Sequence, residues 1–232
     1  QTCALPISSK LDEIYDVDQK YYEALQESAE TCIYNGKEIV TLDTELKERM
    51  GEQRFLVDDE KNIGYTMKVE RNKDGEIKES QLLSFKTGKK ADGKCSVVAE
   101  DVDVMMGAKD GDIYYLTDMD EGMGDLYCNE ELIDSDVMIG TLEFTKEQKY
   151  PIYKTDYNTS KNLFTLKMFD GKNAKVIADD AFDYKVVDEK KIAVLVDYDD
   201  DDSTGTLKLY RGKDKLIELD DDVICLFGGM YN

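Results

Sequence analysis

Between Asp197 and Asp202 the chain places five carboxylates in six positions, with Gly205 close behind. Oxygen ligands at that density suit one chemistry, the binding of calcium, which takes carboxylate oxygens at about 2.3–2.6 Å. Asp197, Asp199 and Asp201 alternate, so on a flat strand they share one face, as a cation clamp requires. They are the candidate calcium ligands. The run lacks the sixth-position glycine and the later glutamate of an EF-hand loop. If Asp199–Asp202 form a turn instead, the side chains splay toward water and salt screens their repulsion. This solvated hairpin tip is the competing reading. Asp118 and Asp120, followed by Gly122, begin a sparser copy of the same loop. The pair Asp179, Asp180 and the triplet Asp220, Asp221, Asp222 end short apolar segments. They read as charges that cap a sheet edge against unwanted pairing.

Histidine is absent from all 232 residues. That excludes Ser-His-Asp triads, Cys-His dyads and His-ligated zinc. Tryptophan is absent too, which leaves 15 tyrosines as stacking surfaces. Tyr21, Tyr22, Tyr65, Tyr114, Tyr115, Tyr153 and Tyr198 recur in apolar segments. Strand alternation sends Tyr114 and Tyr115 to opposite faces, one into packing and the other free to line a ligand surface. Paired carboxylates can hydrolyse glycosides, but acids are so frequent here that pairs arise by chance. A non-catalytic role is therefore expected, with a carboxylate-dependent, glycosidase-like hydrolase as the alternative. Cys3, Cys32, Cys95, Cys128 and Cys225 form no C-x-x-C motif and read as ordinary free thiols. The net charge of -22 repels a phosphate backbone and an anionic bilayer. Nucleic acid and membrane contact are thus not expected of this chain; cationic partners and divalent metals are electrostatically permitted.

These side chains are carried by a repeat. MFDGKNAKVI (168–177), LYRGKDKLI (209–217), IYNGKEIV (33–40) and LYCNEELI (126–133) share an aromatic residue, a turn, then paired apolar residues, and LSFKTGKK (83–90) is a weaker copy. Asn35-Gly36 and Asp170-Gly171 are the dipeptides a type I′ hairpin turn prefers, with Asn129 and Gly212 at the same place. Each hairpin is preceded by a Tyr-rich apolar strand and followed by a short strand ending in acids, then a closing strand. The resulting units are 20–61, 62–111, 112–148, 149–190 and 191–232. Residues 8–19 read as the remnant of a preceding blade, and a hairpin is expected around Gln26–Glu30. A period near 42 residues with four strands per unit predicts an all-β chain, a partial or irregular β-propeller of about five four-stranded blades. A β-solenoid or stacked β-meander, and a pair of β-sandwiches, are the alternatives. No apolar stretch approaches the length of a membrane-spanning helix; the longest clean run is Ile192–Val196.

Units such as IAVLVDYDDDDSTGTLKLYRGKDKLIELDDDV (192–223) resemble the degenerate propeller repeats of bacterial surface proteins, similar to TolB-like and lipoprotein-receptor-like propellers. The resemblance spans residues 14–232 and rests on the YxGK hairpin and the trailing acidic strand. It implies an extracytoplasmic propeller tethered by an N-terminal anchor, acting as a binding or protein-interaction module for a protein or carbohydrate ligand. It carries over no catalytic residue. Residues 1–7, QTCALPI, can be written as a nucleotide string resembling the end of a sequencing-library adapter, and are expected to be an assembly scar rather than native sequence. The natural protein would then be longer upstream, with room for a signal peptide, lipoprotein cysteine or membrane anchor; a genuine mature N-terminus is the alternative.

Overall fold

The computed structural model describes residues 31–44, 55–188, 190–212 and 216–226. The expected scar at residues 1–7, the expected blade remnant at 8–19, Cys3, Tyr21, Tyr22 and the expected Gln26–Glu30 hairpin lie outside the described residues. The chain divides into two compact units, residues 1–107 and 108–232. Every element longer than one turn among the described residues is a strand.

In the first unit, β1 (Cys32–Tyr34) and β2 (Ile39–Thr41) form a hairpin. There follow β3 (Phe55–Asp58), β4 (Ile63–Arg71), β5 (Ile77–Lys86) and β6 (Cys95–Glu100), an antiparallel meander in chain order. The unit ends with β7 (Val102–Gly107). In the second unit, β8 (Ile113–Asp120), β9 (Met123–Cys128) and β10 (Glu131–Met138) pair in sequence. The remaining strands form one antiparallel sheet in chain order: β11 (Glu143–Phe144), β12 (Pro151–Asn158), β13 (Leu163–Phe169), β14 (Ala174–Asp188), β15 (Lys191–Asp199), β16 (Thr204–Tyr210) and β17 (Ile217–Val223).

The sheets are offset by one strand from the sequence repeats. β3 closes the 20–61 repeat yet pairs with β4 of the next. β11 does the same for β12. β14 merges two expected strands into one of 15 residues. Its first half pairs with β13 and its second half with β15. The β3–β6 sheet therefore combines one repeat's closing strand with the first three strands of the next, and the β11–β17 sheet does so twice, which stitches those successive repeats together. Hairpin-joined antiparallel blades of this kind are the β-propeller building block, and the fold is of the all-β, β-propeller class. The parallel coils of a solenoid do not occur among the described strands.

Aspartate shapes these strands as much as apolar residues do. Thr155 faces Thr165 and Asn158 faces Leu163, so three residue steps oppose two. The same bulge recurs between Thr117 and Asp120 and between Val196 and Asp199. The extra residues are Asp118, Asp156 and Asp197, with φ of 53°, 52° and 54°. A second set of left-handed residues is Asp101, Asp136, Asp180 and Asp222, at φ of 53°, 56°, 48° and 55°. Three of these lie in bulges opposite β9, β13 and β16. Asp and Asn enter the left-handed region more readily than other side chains because their short polar groups bond locally. The acids that end the third strands are thus conformational devices. For Asp179 and Asp180 this corrects the edge-capping expectation, since in β14 they sit where the strand passes from one partner to the next, whereas Asp220, Asp221 and Asp222 lie on β17, the edge strand of its sheet.

The hairpin turns also differ in detail from expectation. At Asn35-Gly36 and Asp170-Gly171 only the glycine is left-handed, at φ of 93° and 88°. A type I′ turn needs two consecutive left-handed residues. Here the Asn35 carboxamide and the Asp170 carboxylate accept backbone N–H groups two and three residues on, closing each turn. Paired left-handed residues occur at Glu121-Gly122, with φ of 47° and 84°.

The second unit's main core gathers Ile152, Phe164, Leu166, Ile177, Ile192 and Val194 from adjacent strands. A smaller core in the first unit holds Ile33, Leu42 and Phe85. Strand β13 alternates buried and half-buried residues along its length, the pattern of a sheet more tightly covered on one face. Strand β8 departs from this: Ile113–Thr117 are buried at every position.

Candidate functional site

The tyrosines sort differently from their alternation. Tyr114 and Tyr115 point to opposite faces, yet both are buried. Tyr114 meets Phe144 and Phe169 edge-on, and Tyr115 stacks on its cross-strand partner Tyr127 at 5.3 Å. Neither lines a ligand surface, because β8 is covered on both sides. Tyr153 is fully buried, and its hydroxyl donates to Asp134 at 3.1 Å. Tyr198 stacks on Phe182 at 3.7 Å. Tyr65 is half-buried on β4.

Asp197, Asp199 and Asp201 are not brought together as ligands. Asp197 occupies the left-handed bulge position, and its carboxylate pairs with Lys208 at 2.8 Å. Asp199 Oδ1 accepts the N–H groups of Asp201 and Asp202, closing the turn. Asn158 and Asp58 do the same for their own hairpins. In each case a left-handed residue follows four positions on, Ser203, Asn162 or Asn62. Asp199–Asp202 thus follow the turn alternative, with exposed side chains. Among the described residues no group of three or more His, Cys, Asp or Glu side chains could hold a metal ion.

Two polar clusters in the second unit remain. In the first, Asp134 on β10 accepts from Lys167 Nζ at 2.9 Å and from the Tyr153 hydroxyl. Both members of the ion pair are less than a fifth exposed. Burial, then the Asp134 charge, pushes the Tyr153 phenol far up, so it stays a proton donor. This cluster joins β10 to β12 and β13 and has every member satisfied, which marks it as structural.

The second cluster is open. A cleft of about 450 Å³ is lined by Gly140 and Thr141 in the turn after β10, Glu143 on β11, Lys154 on β12 and Tyr184, Lys185 and Val186 on β14. Lys154 stands on β12, Phe164 beside it on β13 and Tyr184 on β14. The Lys154 ammonium lies 3.9 Å from the Phe164 ring centre and 5.4 Å from that of Tyr184. The two rings meet edge-on at 6.1 Å. Thr141 fixes the turn, donating to the Met138 carbonyl at 2.7 Å and accepting the Lys154 backbone N–H at 3.2 Å. Burial lowers the Lys154 pKa, opposed by Asp183 and Glu143. Burial, then the Glu143 charge, raises Tyr184. No carboxylate among the described residues comes within ion-pair distance of Lys154. Its ammonium is therefore half-buried against aromatic faces with no carboxylate at ion-pair distance. Sequence reasoning missed this site because it singled out acids and tyrosines; a lone lysine in PIYKTDYN carried no motif.

The four described cysteines are free. Burial raises Cys95 and Cys128 to about 11, so both stay protonated and weakly nucleophilic.

No known protein family matches the sequence, and no curated protein matches it. Solved structures share the general fold at low identity. The chain is similar to a eukaryotic initiation factor at 10% identity and a TM-score of 0.46, over 84% of this chain and 49% of that one. It is similar to TolB from Acinetobacter baumannii at 11% and 0.37, over 85% and 61%. The WD40 β-propeller domain of Doa1 matches at 13% and 0.33, over 83% and 61%. The chain spans about half to six tenths of the length of these proteins.

Proposed function

We propose that this protein is a non-catalytic binding or protein-interaction module on a rigid repeat scaffold, with the Lys154 cleft as its recognition site. The supporting observation is the half-buried ammonium. A half-buried cation with no carboxylate in contact costs desolvation energy that a ligand can offset, whereas the Asp134–Lys167 pair is already in contact. The cleft volume falls in the range of small-ligand sites, about 300–1,000 Å³. The ligand is a protein segment or a carbohydrate; the overall charge of -22 argues against nucleic acid and membrane. Among the described residues no helix is long and apolar enough to cross a membrane. An extracytoplasmic setting belongs to the same proposal and rests on the resemblance of the repeats to surface propellers. Glycan and peptide arrays probed with the intact chain test the reading. Saturable binding that Lys154→Met abolishes is expected. Turnover of a glycoside, or binding indifferent to every cleft substitution, would replace it.

A further inference from the structure

The charges around the cleft narrow the ligand class. Lys154 and Lys185 line it, and Glu143 is the acid in the lining. With Asp183 close enough to act on Lys154, the charges at the cleft balance, on a protein whose net charge is -22. Long-range repulsion of an anion is screened over about 8–10 Å at physiological salt, so within the cleft the near charges decide. Glu143 and Asp183 both act on Lys154, which disfavours a second negative charge on any ligand beside it. The Lys154 ammonium has three N–H donors, and the surfaces beneath it are aromatic rings, which supply no strong acceptor. Resting on the binding-module reading, we infer that the cleft receives a small organic carboxylate, whose single charge pairs with Lys154 Nζ above the Phe164 ring while its carbon framework lies against Tyr184 and Val186.

The pairing is a charge-assisted hydrogen bond in a partly desolvated place, which is where such bonds discriminate best. A neutral amide of the same shape offers an acceptor but no charge. Inorganic phosphate, largely a dianion at pH 8, meets the repulsion of Glu143 and Asp183. Lysine presents a point charge rather than a fork, so the site selects for charge and size more than for bidentate geometry.

Isothermal titration of the intact chain at pH 8 separates these cases. Benzoate and glucuronate represent an aromatic carboxylate and a sugar acid; benzamide, glucose and inorganic phosphate are the controls. At least one carboxylate is expected to bind at one site, about tenfold or more tighter than its neutral analogue and than phosphate. Whichever of benzoate and glucuronate binds tighter names the source. Lys154→Met should abolish that preference and Lys154→Arg should retain part of it. The wild-type preference for carboxylate over amide is a readout that survives even if a variant fails to fold. Equal binding of benzoate and benzamide, an unchanged affinity in a folded Lys154→Met variant, or no heat from either carboxylate would overturn the inference. If carboxylates fail while the arrays still yield a ligand dependent on the cleft, this inference falls and the binding-module reading stands.

Discussion

At the scale of single residues, aspartate does work usually given to glycine. Seven of the left-handed non-glycine residues among those described are aspartates. Asp180 is exposed, while the next residue, Ala181, is fully buried. Asp180→Gly should therefore leave the melting temperature nearly unchanged, whereas Asp180→Val should cost about 1–2 kcal/mol, because a branched side chain is strained at positive φ. Equal losses in both, measured by urea denaturation, would show that the carboxylate rather than the backbone matters. Asp170 tests an electrostatic role. Its carboxyl is held down at about 2, first by Lys175 at 2.6 Å and then by the Asn173 and Lys172 N–H groups. A depressed carboxylate stabilises the fold above its unfolded pKa of about 3.9, and that contribution is lost as pH falls through the folded value. Asp170→Asn keeps an acceptor for the turn and removes the charge. The wild type should be more stable by up to about 1 kcal/mol at pH 7, as for other exposed pairs, with the difference shrinking between about pH 4 and pH 2. A difference constant with pH would assign the effect to turn geometry.

At the scale of elements, the blades are joined by shared strands and by one polar bolt. β14 serves two partners in succession, so its middle must bend, and Asp180 supplies the bend. The bolt is Asp134 with Lys167 and Tyr153, which ties β10 to the neighbouring sheet. Tyr153→Phe removes one hydrogen bond to a charged acceptor while keeping the ring's packing, and should cost about 1.5–3 kcal/mol. Lys167→Met leaves a half-buried carboxylate unpaired and should cost more, and the two losses should be non-additive because both groups share Asp134. Additive losses in a double-mutant cycle would show that the hydroxyl and the ammonium act separately.

For the molecule as a whole, the charge of -22 opposes compaction through self-repulsion. Raising monovalent salt from about 10 mM to 500 mM, where the Debye length falls from about 30 Å toward 4 Å, should raise the melting temperature. Calcium at matched ionic strength should add nothing further, since Asp197 is paired with Lys208 and Asp199 is committed to its turn. An extra calcium-specific rise that disappears in Asp199→Asn/Asp201→Asn would restore the acidic hairpin as a metal site.

The all-β class and the spacing of the blades were legible in the sequence because both arise locally. Hairpin glycines, apolar alternation and a recurring aromatic are set by neighbours within a few residues of each other, and a repeat prints them several times. The strand partnership was not local. Whether β3 pairs within its own repeat or with the next depends on which sheet edge lies free in space, and the same hydrophobic pattern permits both. The burial of Tyr114 and Tyr115 on opposite faces likewise required knowing that β8 is covered twice. The acids were visible, but their purpose was hidden, since a carboxylate that binds a cation and one that holds a left-handed bend are the same residue in a string. The Lys154 cleft depended wholly on tertiary structure. Its ammonium, the Phe164 and Tyr184 rings and Glu143 come from four strands spread over some forty residues, and only the packing of those strands leaves a charge half-buried on aromatic faces with no carboxylate in contact.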